Sequence, residues 1–375
     1  MLALLLGRRG PRPNAAERYA VATQLQLTWW RFKRHKLAMI SFVLVALFYL
    51  VVVFADFLAT TDPHATNAGT SYVAPQPVHL FDDGAFRPYV NGLKGVRDPK
   101  TFKLVYVADP NRKVYLQMFA PNYRFSFFGL ETNIHLIGLQ NPRPGDGIFL
   151  LGTDLLGRDL WSRLMVATRV SLTIGLASVA LSLVLGILLG GISAIYGGVV
   201  DTVIQRLIEV VRSMPTIPLW LGLAAALPNS WSVLQVYFSI TIIISLLAWT
   251  DLARVVRGKF LALREEDFVM AAELAGASQM RIIFHHMLPS FLSHIIAAVS
   301  LALPAMIIAE TSLSFLGLGL RPPAISWGIL LQDAQSIQSL ALAPWLLYTA
   351  VPVIVVILAF NFLGDGLRDA ADPYG

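Results

Sequence analysis

The sequence predicts an all-α membrane protein of six spanning helices, with a small β-rich extracytoplasmic insertion between the first and second. Three observations predict it. Of 375 residues, 56% are hydrophobic and only 14% charged, whereas a soluble globular chain keeps about 25% charged. The apolar residues gather into runs that supply the roughly 20 residues a bilayer crossing takes. Between the first run and the second, residues 59–165 revert to a soluble composition punctuated by proline and glycine. Cysteine is absent, which removes disulfides, thiolate metal sites and cysteine nucleophiles together.

Residues 1–36 form a basic cytoplasmic segment. Arg8, Arg9, Arg12, Arg18, Arg31, Lys33, Arg34 and Lys36 precede the first apolar run, and Glu17 is the only acid among them. The formal net charge of +6 therefore reads as a positive-inside flank. No aromatic–basic module accompanies it, so nucleic acid is not an expected partner. Met1–Gly7 is too short for a signal-peptide core. Leu25–Lys36 sets Trp29, Trp30 and Phe32 among cations, a mix that suits a segment lying in the headgroup region or an aromatic-belt flank. Residues 37–58 are the first span, read as a retained anchor.

Within 59–165, Thr101–Val107 and Lys113–Phe119 flank Asp109-Pro110-Asn111, which predicts a hairpin. Arg124–Leu130, Asn133–Leu139 and Gly147–Leu151 add short strands. The lysines and arginines of this segment do not contradict its placement outside, because long loops translocate largely regardless of charge.

Residues 166–375 hold the other five spans. In Ser171–Gly198, Ser178, Ser182, Gly186, Gly190, Ala194 and Gly198 recur every four residues and draw a small-residue ridge for close helix packing. Asp201–Leu227 carries Arg206, Glu209 and Arg212 at its start, spaced so that Glu209 reaches either arginine, and is then interrupted by Pro215 and Pro218. Val236–Gly258 ends in Asp251, Arg254 and Arg257. Ser290–Gly317 contains Pro304 and Glu310, an intramembrane carboxylate expected to pair with a cation on a neighbouring helix or subunit. Pro344–Leu363 is the sixth span, followed by a polar tail. An even number of crossings with the N-terminus inside puts both termini, and the polar stretch 258–289, in the cytoplasm.

No catalytic constellation appears. Gly258-Lys259-Phe260 lacks the glycine frame and the hydroxyl of a phosphate-cradling loop, so no cofactor is expected in this chain. His285 and His286 are adjacent and on a helix point about 100° apart, a poor metal pair. The stretch 258–289 reads instead as a mechanical part. Glu265, Glu266 and Asp267 suit a helix N-terminus, Gly276 a stop, Ser278 the cap of a second short helix, and Pro289 a helix start. Ala271, Ala272, Ala275 and Ala277 would let a partner's groove approach closely.

From Phe268 through Ala271, Ala272 and Glu273 to Gly276, and from Arg281 to Leu288-Pro289, this stretch resembles the coupling loop of ATP-binding-cassette importer permeases. Three blocks beyond it point the same way: Gly152–Asp159; Glu310–Gly319 with Pro322-Pro323 and Ser326-Trp327-Gly328; and Gly364–Pro373. With Trp30–Ala38 they resemble the C-type permease subunit of the oligopeptide/dipeptide branch, over residues 28–58 and 150–375. Residues 59–150 are the expected departure, longer than the family's usual linker. The resemblance implies the type I permease fold, in a bacterial cytoplasmic (inner) membrane. It implies half of a heterodimeric pore, with a second permease subunit, two ATP-binding subunits that hold ATP and magnesium, and an extracytoplasmic solute-binding protein. Coupling would fall on Ala271, Ala272, Glu273, Gly276, Ala277, Ser278 and Arg281, and a pathway or gate on Arg206, Glu209 and Glu310. Members that move oligosaccharides, opines or nickel chelates keep the cargo open. A secondary transporter, driven by an ion gradient, is the alternative class.

Overall fold

The computed structural model describes residues 24–97, 99, 104–141 and 146–371. Met1–Gly7, Arg8, Arg9, Arg12, Glu17, Arg18, the beginning of the strand expected from Thr101, and residues 372–375 lie outside the described residues.

Helix α1, Gln24–Phe32, stacks Trp29 on Phe32 with ring centroids 5.7 Å apart, and the Lys33 ammonium lies 5.0 Å from the Trp29 ring. Helix α2, Lys36–Leu58, starts where His35 Nδ1 accepts the Ala38 N–H at 3.1 Å. It buries Ala38, Ser41, Val45 and Ala55.

After α2 comes an antiparallel sheet in the order β1-β2-β3-β4, formed by Val78–Asp82, Ala85–Arg97, Leu104–Phe127 and Leu130–Leu139. The hairpin expected at Asp109-Pro110-Asn111 is replaced by a bulge. Asn91 pairs with Lys113 and Gly92 with Asp109, so 110–112 are thrown out of a continuous β3. Proline has no N–H for the ladder, which makes a bulge its natural place. The chain reverses instead at Asp83-Gly84 (φ 46° and 81°) and Phe128-Gly129 (φ 49° and 85°), the double positive φ of tight hairpin turns. Nor do residues 147–151 form a strand. The N–H of Phe149 is taken by Gln76 Oε1 at 2.8 Å, and its carbonyl accepts the Gln76 N–H at 2.9 Å. The Lys113 ammonium and the Tyr115 hydroxyl, donating across the sheet, hold the Asp82 carboxyl below its ordinary range. The sheet docks on the end of α2: the His135 ring nitrogens lie 2.8 Å from the Asp56 carbonyl and 3.0 Å from that of Tyr123, and Asn122 Nδ2 donates to the Thr60 carbonyl at 2.6 Å.

Helix α3, Leu160–Tyr196, begins well before Ser171 because Asp159 caps it, accepting from the Ser162 N–H at 2.9 Å. Gly197 and Gly198, at φ 58° and 54°, end it. Gly198 thus leaves the ridge and starts α4, Gly198–Ser213. Helix α5, Thr216–Ala225, follows at an angle of 88°. The break falls at Met214-Pro215, where proline cannot continue the ladder.

The rest of the ridge, Ser178, Ser182, Gly186, Gly190 and Ala194, is buried, most of it against α6, Val233–Leu263. Ser245 Oγ donates to the Ser178 carbonyl at 3.1 Å. A Cβ on Gly190 would stand 2.5 Å from the Ala253 carbonyl oxygen and 3.1 Å from its Cα. Backbone cannot swing aside, so Gly190→Val is expected to destabilise the bundle by about 1–3 kcal/mol. Thermal unfolding of the purified chain checks this. Gly222→Ala is the control, since a Cβ there meets nothing within 4 Å.

The remaining elements are α7, Asp267–Leu274; a winding segment Gln279–Arg281, Ile282–Met287 and Leu288–Ser290; α8, Leu292–Phe315; α9, Trp327–Asp333; α10, Ile337–Leu342; and α11, Ala350–Ala371. α11 packs between α8 and α2, and α3 packs on α2, α6 and α8. Among the described residues, five helices are long and apolar enough to cross a membrane, or six if the bent pair α4–α5 is one span.

Candidate functional site

The polar stretch between α6 and α8 folds as two helical segments joined by a left-handed turn. α7 starts after Glu266 and ends at Ala275, and Gly276 then takes φ 75°. The Gly276 N–H bonds the Glu273 carbonyl at 2.9 Å, and the Ala277 N–H reaches back to Ala272 at 3.0 Å. Those two bonds are the Schellman closure of a helix end, which needs a left-handed residue where Gly276 stands. Ser278 has a capping backbone but makes no side-chain cap bond, so its expected capping role is corrected. The second helix is also longer than expected. It winds through a π turn, Ile282–Met287, to Ser290, and Phe291 (φ −122°, ψ 19°) separates it from α8.

One face of this stretch is buried. Val269, Ile282, Ile283, Met287 and Phe291 are buried against Ala194 of α3, Val256 and Phe260 of α6, and Ile295 of α8. Each full burial contributes about 1.5–3 kcal/mol. The Arg257 guanidinium grips Asp201 through Nε at 2.6 Å and Nη2 at 2.5 Å, tying α6 to α4 nearby. The other face is open. Of the residues expected to couple, Ala271, Glu273, Gly276, Ser278 and Arg281 are exposed, while Ala272 and Ala277 are half-buried on the cluster. Leu274 is 91% exposed, with Phe268, Met270, Met280 and Phe284 also outward. An apolar run of this kind on a polar stretch marks a contact surface.

A cavity of about 530 Å³ lies between α3, α4, α5, α6 and α8, lined by Ser182, Arg212, Thr216, Trp220, Asp251 and Met306 among others. Arg212 crosses to Asp251, so Glu209 pairs with Arg206 alone, at 2.6 Å. Arg206 and Glu209 are 76% and 51% exposed and, like Glu310, do not line the cavity. Arg212 and Asp251 do. Both were visible in the sequence as charges at the ends of spans, but only the bend at Met214-Pro215 brings those ends together.

Glu310 is fully buried, and its recorded partners are hydroxyls rather than the expected cation. Ser171 Oγ donates at 2.7 Å and Ser314 Oγ at 2.9 Å. Ser171 Oγ in turn accepts the Trp327 N–H at 3.1 Å, and Trp327 Nε1 donates to Thr168 Oγ1 at 3.2 Å. In this state Glu310 fastens α8 and α9 to α3.

At the Leu160 end of α3, the block Gly152–Asp159 forms a second clasp. Asp154 Oδ1 accepts the N–H groups of Leu156 and Arg158 at 2.9 and 3.0 Å, and Oδ2 accepts Arg158 Nε at 2.7 Å and Arg163 Nη1. Arg163 Nη1 also meets Asp333 at 3.0 Å. Gly157 takes φ 70° with the Asn67 carbonyl where a Cβ would be, so only glycine fits. Asp159 receives hydroxyls from Ser162 and Thr60 at 2.5 and 2.9 Å. Burial raises its carboxyl, and those hydrogen bonds pull the other way. Arg163 is a buried ion-pairing residue that sequence reasoning missed: residues 59–165 read as soluble, and only the start of α3 at Leu160 puts this arginine one turn inside a span.

Comparison with known proteins matches residues 149–374 to the binding-protein-dependent transport system inner membrane component family, and residues 23–75 to the N-terminal TM domain of oligopeptide transport permease C. The oligopeptide transport system permease protein OppC of Bacillus subtilis (strain 168) is 32% identical over 83% of this chain and 96% of its own. The dipeptide transport system permease protein DppC of Lactococcus lactis subsp. cremoris (strain MG1363) is 31% identical over 98% and 96%. The latter match, 370 residues long over 98% of this chain, takes in 59–150, so this relative shares that segment. The MetNI methionine ABC transporter, solved in inward facing conformations, matches at a TM-score of 0.43 and 19% identity over 55% of this chain and 96% of that one, a likeness too slight to carry an argument.

Proposed function

The chain belongs to the family of binding-protein-dependent transport system inner membrane components, and on that footing we propose that it is the permease subunit of an ATP-driven importer of oligopeptides or dipeptides. It forms half of a heterodimeric pore of the type I fold, with six crossings, the bent pair α4–α5 serving as the third. Both termini and the lever face the cytoplasm, and the sheet faces outside, where it docks the binding protein or covers the pore mouth. Two ATPase subunits hold the ATP and magnesium, and this chain makes and breaks no bonds.

The observation that carries this reading is the lever: an exposed apolar face around Gly276 on a base anchored to α3, α6 and α8. A push from a closing ATPase on Ala271–Arg281 passes through that base into the helices around the cavity, where the pair Arg212–Asp251 and the bend at Pro215 offer a gate. Arg206 and Glu209, at the mouth of α4, remain part of the proposed pathway only when the second permease subunit closes over them.

The test is reconstitution of the chain with its second permease subunit, both ATPases and binding protein in vesicles. Uptake of a labelled oligopeptide is expected to require ATP and all partners. Uptake driven by a proton or sodium gradient without ATPases would overturn the reading in favour of a secondary transporter. ATP-driven uptake of an oligosaccharide, opine or nickel chelate in place of peptide would keep the machine and replace its cargo.

A further inference from the structure

The two hairpin tips of the sheet take the same turn and carry opposite chemistry. At the β1–β2 tip, Asp83-Gly84 occupy the positive-φ positions, and aspartate tolerates that conformation through local hydrogen bonding. At the β3–β4 tip, Phe128 takes φ 49° ahead of Gly129, a strained backbone for a bulky aromatic. The chain's own packing buries little of that ring: Phe128 is 81% and Leu130 75% exposed.

What lies beside the tip explains it. Phe127 stacks on Phe54 of α2 with centroids 5.5 Å apart, Phe119 lies 6.2 Å from Phe57, and Phe128 meets Phe127 edge-on at 4.8 Å. Phe54 and Phe57 continue, at helical spacing, the outward stripe Val43, Leu47 and Leu50. That stripe belongs to the most apolar of the candidate spans, so the tip prolongs the exposed apolar face of α2. Polar groups begin just behind it. Ser126 stands opposite Glu131 in the ladder, and Asp56, on the same turn of α2 as Phe54 and Phe57, forms an ion pair with Arg169 at 2.6 Å.

We infer that the β3–β4 tip, Phe127–Leu130, is seated in the bilayer leaflet at the Leu58 end of α2, with Phe128 as an interfacial wedge that anchors the sheet to the membrane surface. Aromatic rings favour that depth, and the transfer of Phe128 out of water offsets a turn conformation that the water-facing tip gives to aspartate. The anchor, together with His135 and Asn122 at the end of α2, fixes the sheet at two points rather than one. The inference does not depend on the cargo or on which side of the membrane the sheet faces.

Because the chain has no cysteine, Phe128→Cys and Asp83→Cys each create a unique site for a nitroxide label. The full chain is placed in phosphatidylcholine–phosphatidylglycerol nanodiscs, alone and assembled with cysteine-free partners. Label relaxation is then compared between oxygen, which concentrates in lipid, and a water-soluble nickel chelate. Oxygen is expected to dominate at position 128 and nickel at position 83, a reversal of order between two identical turns. Removal of a phenyl side chain from water is favoured about tenfold or more. Phe128→Asn, which suits the turn but lacks the ring, should therefore raise nickel access at a Leu130→Cys label. Nickel access at both tips would overturn the inference. So would a position-128 label shielded from both reagents, which would put a protein partner there instead of lipid.

Discussion

Replacing Gly276 with tryptophan is expected to reduce ATP-driven uptake to the level of vesicles lacking the ATPases, while the chain still inserts and folds. The two halves of that expectation come from different features. A Cβ at 276 meets nothing within 4 Å, so the new side chain leaves the backbone into open space. The left-handed backbone at φ 75° costs a non-glycine residue roughly 1–2 kcal/mol. The buried base of Val269, Ile282, Ile283, Met287 and Phe291 holds the lever with several times that, at about 1.5–3 kcal/mol each. The fold therefore survives, and the added bulk projects from the exposed face into whatever docks there. Gly276→Ala separates the two effects, since it carries the backbone strain without the bulk. Retained uptake in Gly276→Ala with loss in Gly276→Trp assigns the defect to the docked groove. Equal loss in both would assign it to helix punctuation, and normal uptake in Gly276→Trp would sink the coupling role. Vesicle uptake, with membrane assembly measured in parallel, decides among them.

The sequence made the lever legible because its signals are local. Acidic residues before a helix and Gly276 after it are short-range punctuation, and the structure puts a helix, a left-handed turn and a second helix there. Pro289, expected to start the next span, lies inside that second helix instead, and α8 begins after Phe291. The ridge on α3 was legible for the same reason: a four-residue period fixes a helix face before any partner is known. What the sequence hid depends on long-range juxtaposition. Asp109-Pro110-Asn111 reads locally as the tip of a hairpin, but the pairing of β2 with β3 on both sides of it turns the same residues into a bulge. Glu310 was assigned a cation because a lone intramembrane carboxylate needs a partner. Ser171 on α3, 139 residues away, supplies part of that need with a hydroxyl. Arg212 and Asp251 became cavity residues only through the 88° bend between α4 and α5.

Arg163→Leu is expected to destabilise the chain strongly. Arg163 is 1% exposed and shares one nitrogen, Nη1, between Asp154, itself 2% exposed, and Asp333. Removal of one member of such a buried set leaves charge without compensation, at a cost of about 3–5 kcal/mol. That is a large share of the roughly 5–15 kcal/mol that holds a typical domain together. Arg158 limits the damage, because its Nε stays on Asp154 at 2.7 Å, but it cannot reach into the space that the Arg163 side chain leaves. Arg163→Lys retains the charge and loses the planar fork, so it should fall between wild type and Arg163→Leu. Arg206→Ala is the reference, since its pair with Glu209 is exposed on both sides and is worth at most about 1 kcal/mol. Thermal unfolding of the three purified variants in the same lipid or detergent gives the ranking. If Arg163→Leu melts with Arg206→Ala, the clasp at the Leu160 end of α3 is not held by its ions. In that case the Gly152–Asp159 block is held by its backbone turn, through Gly157 and the amides that Asp154 collects.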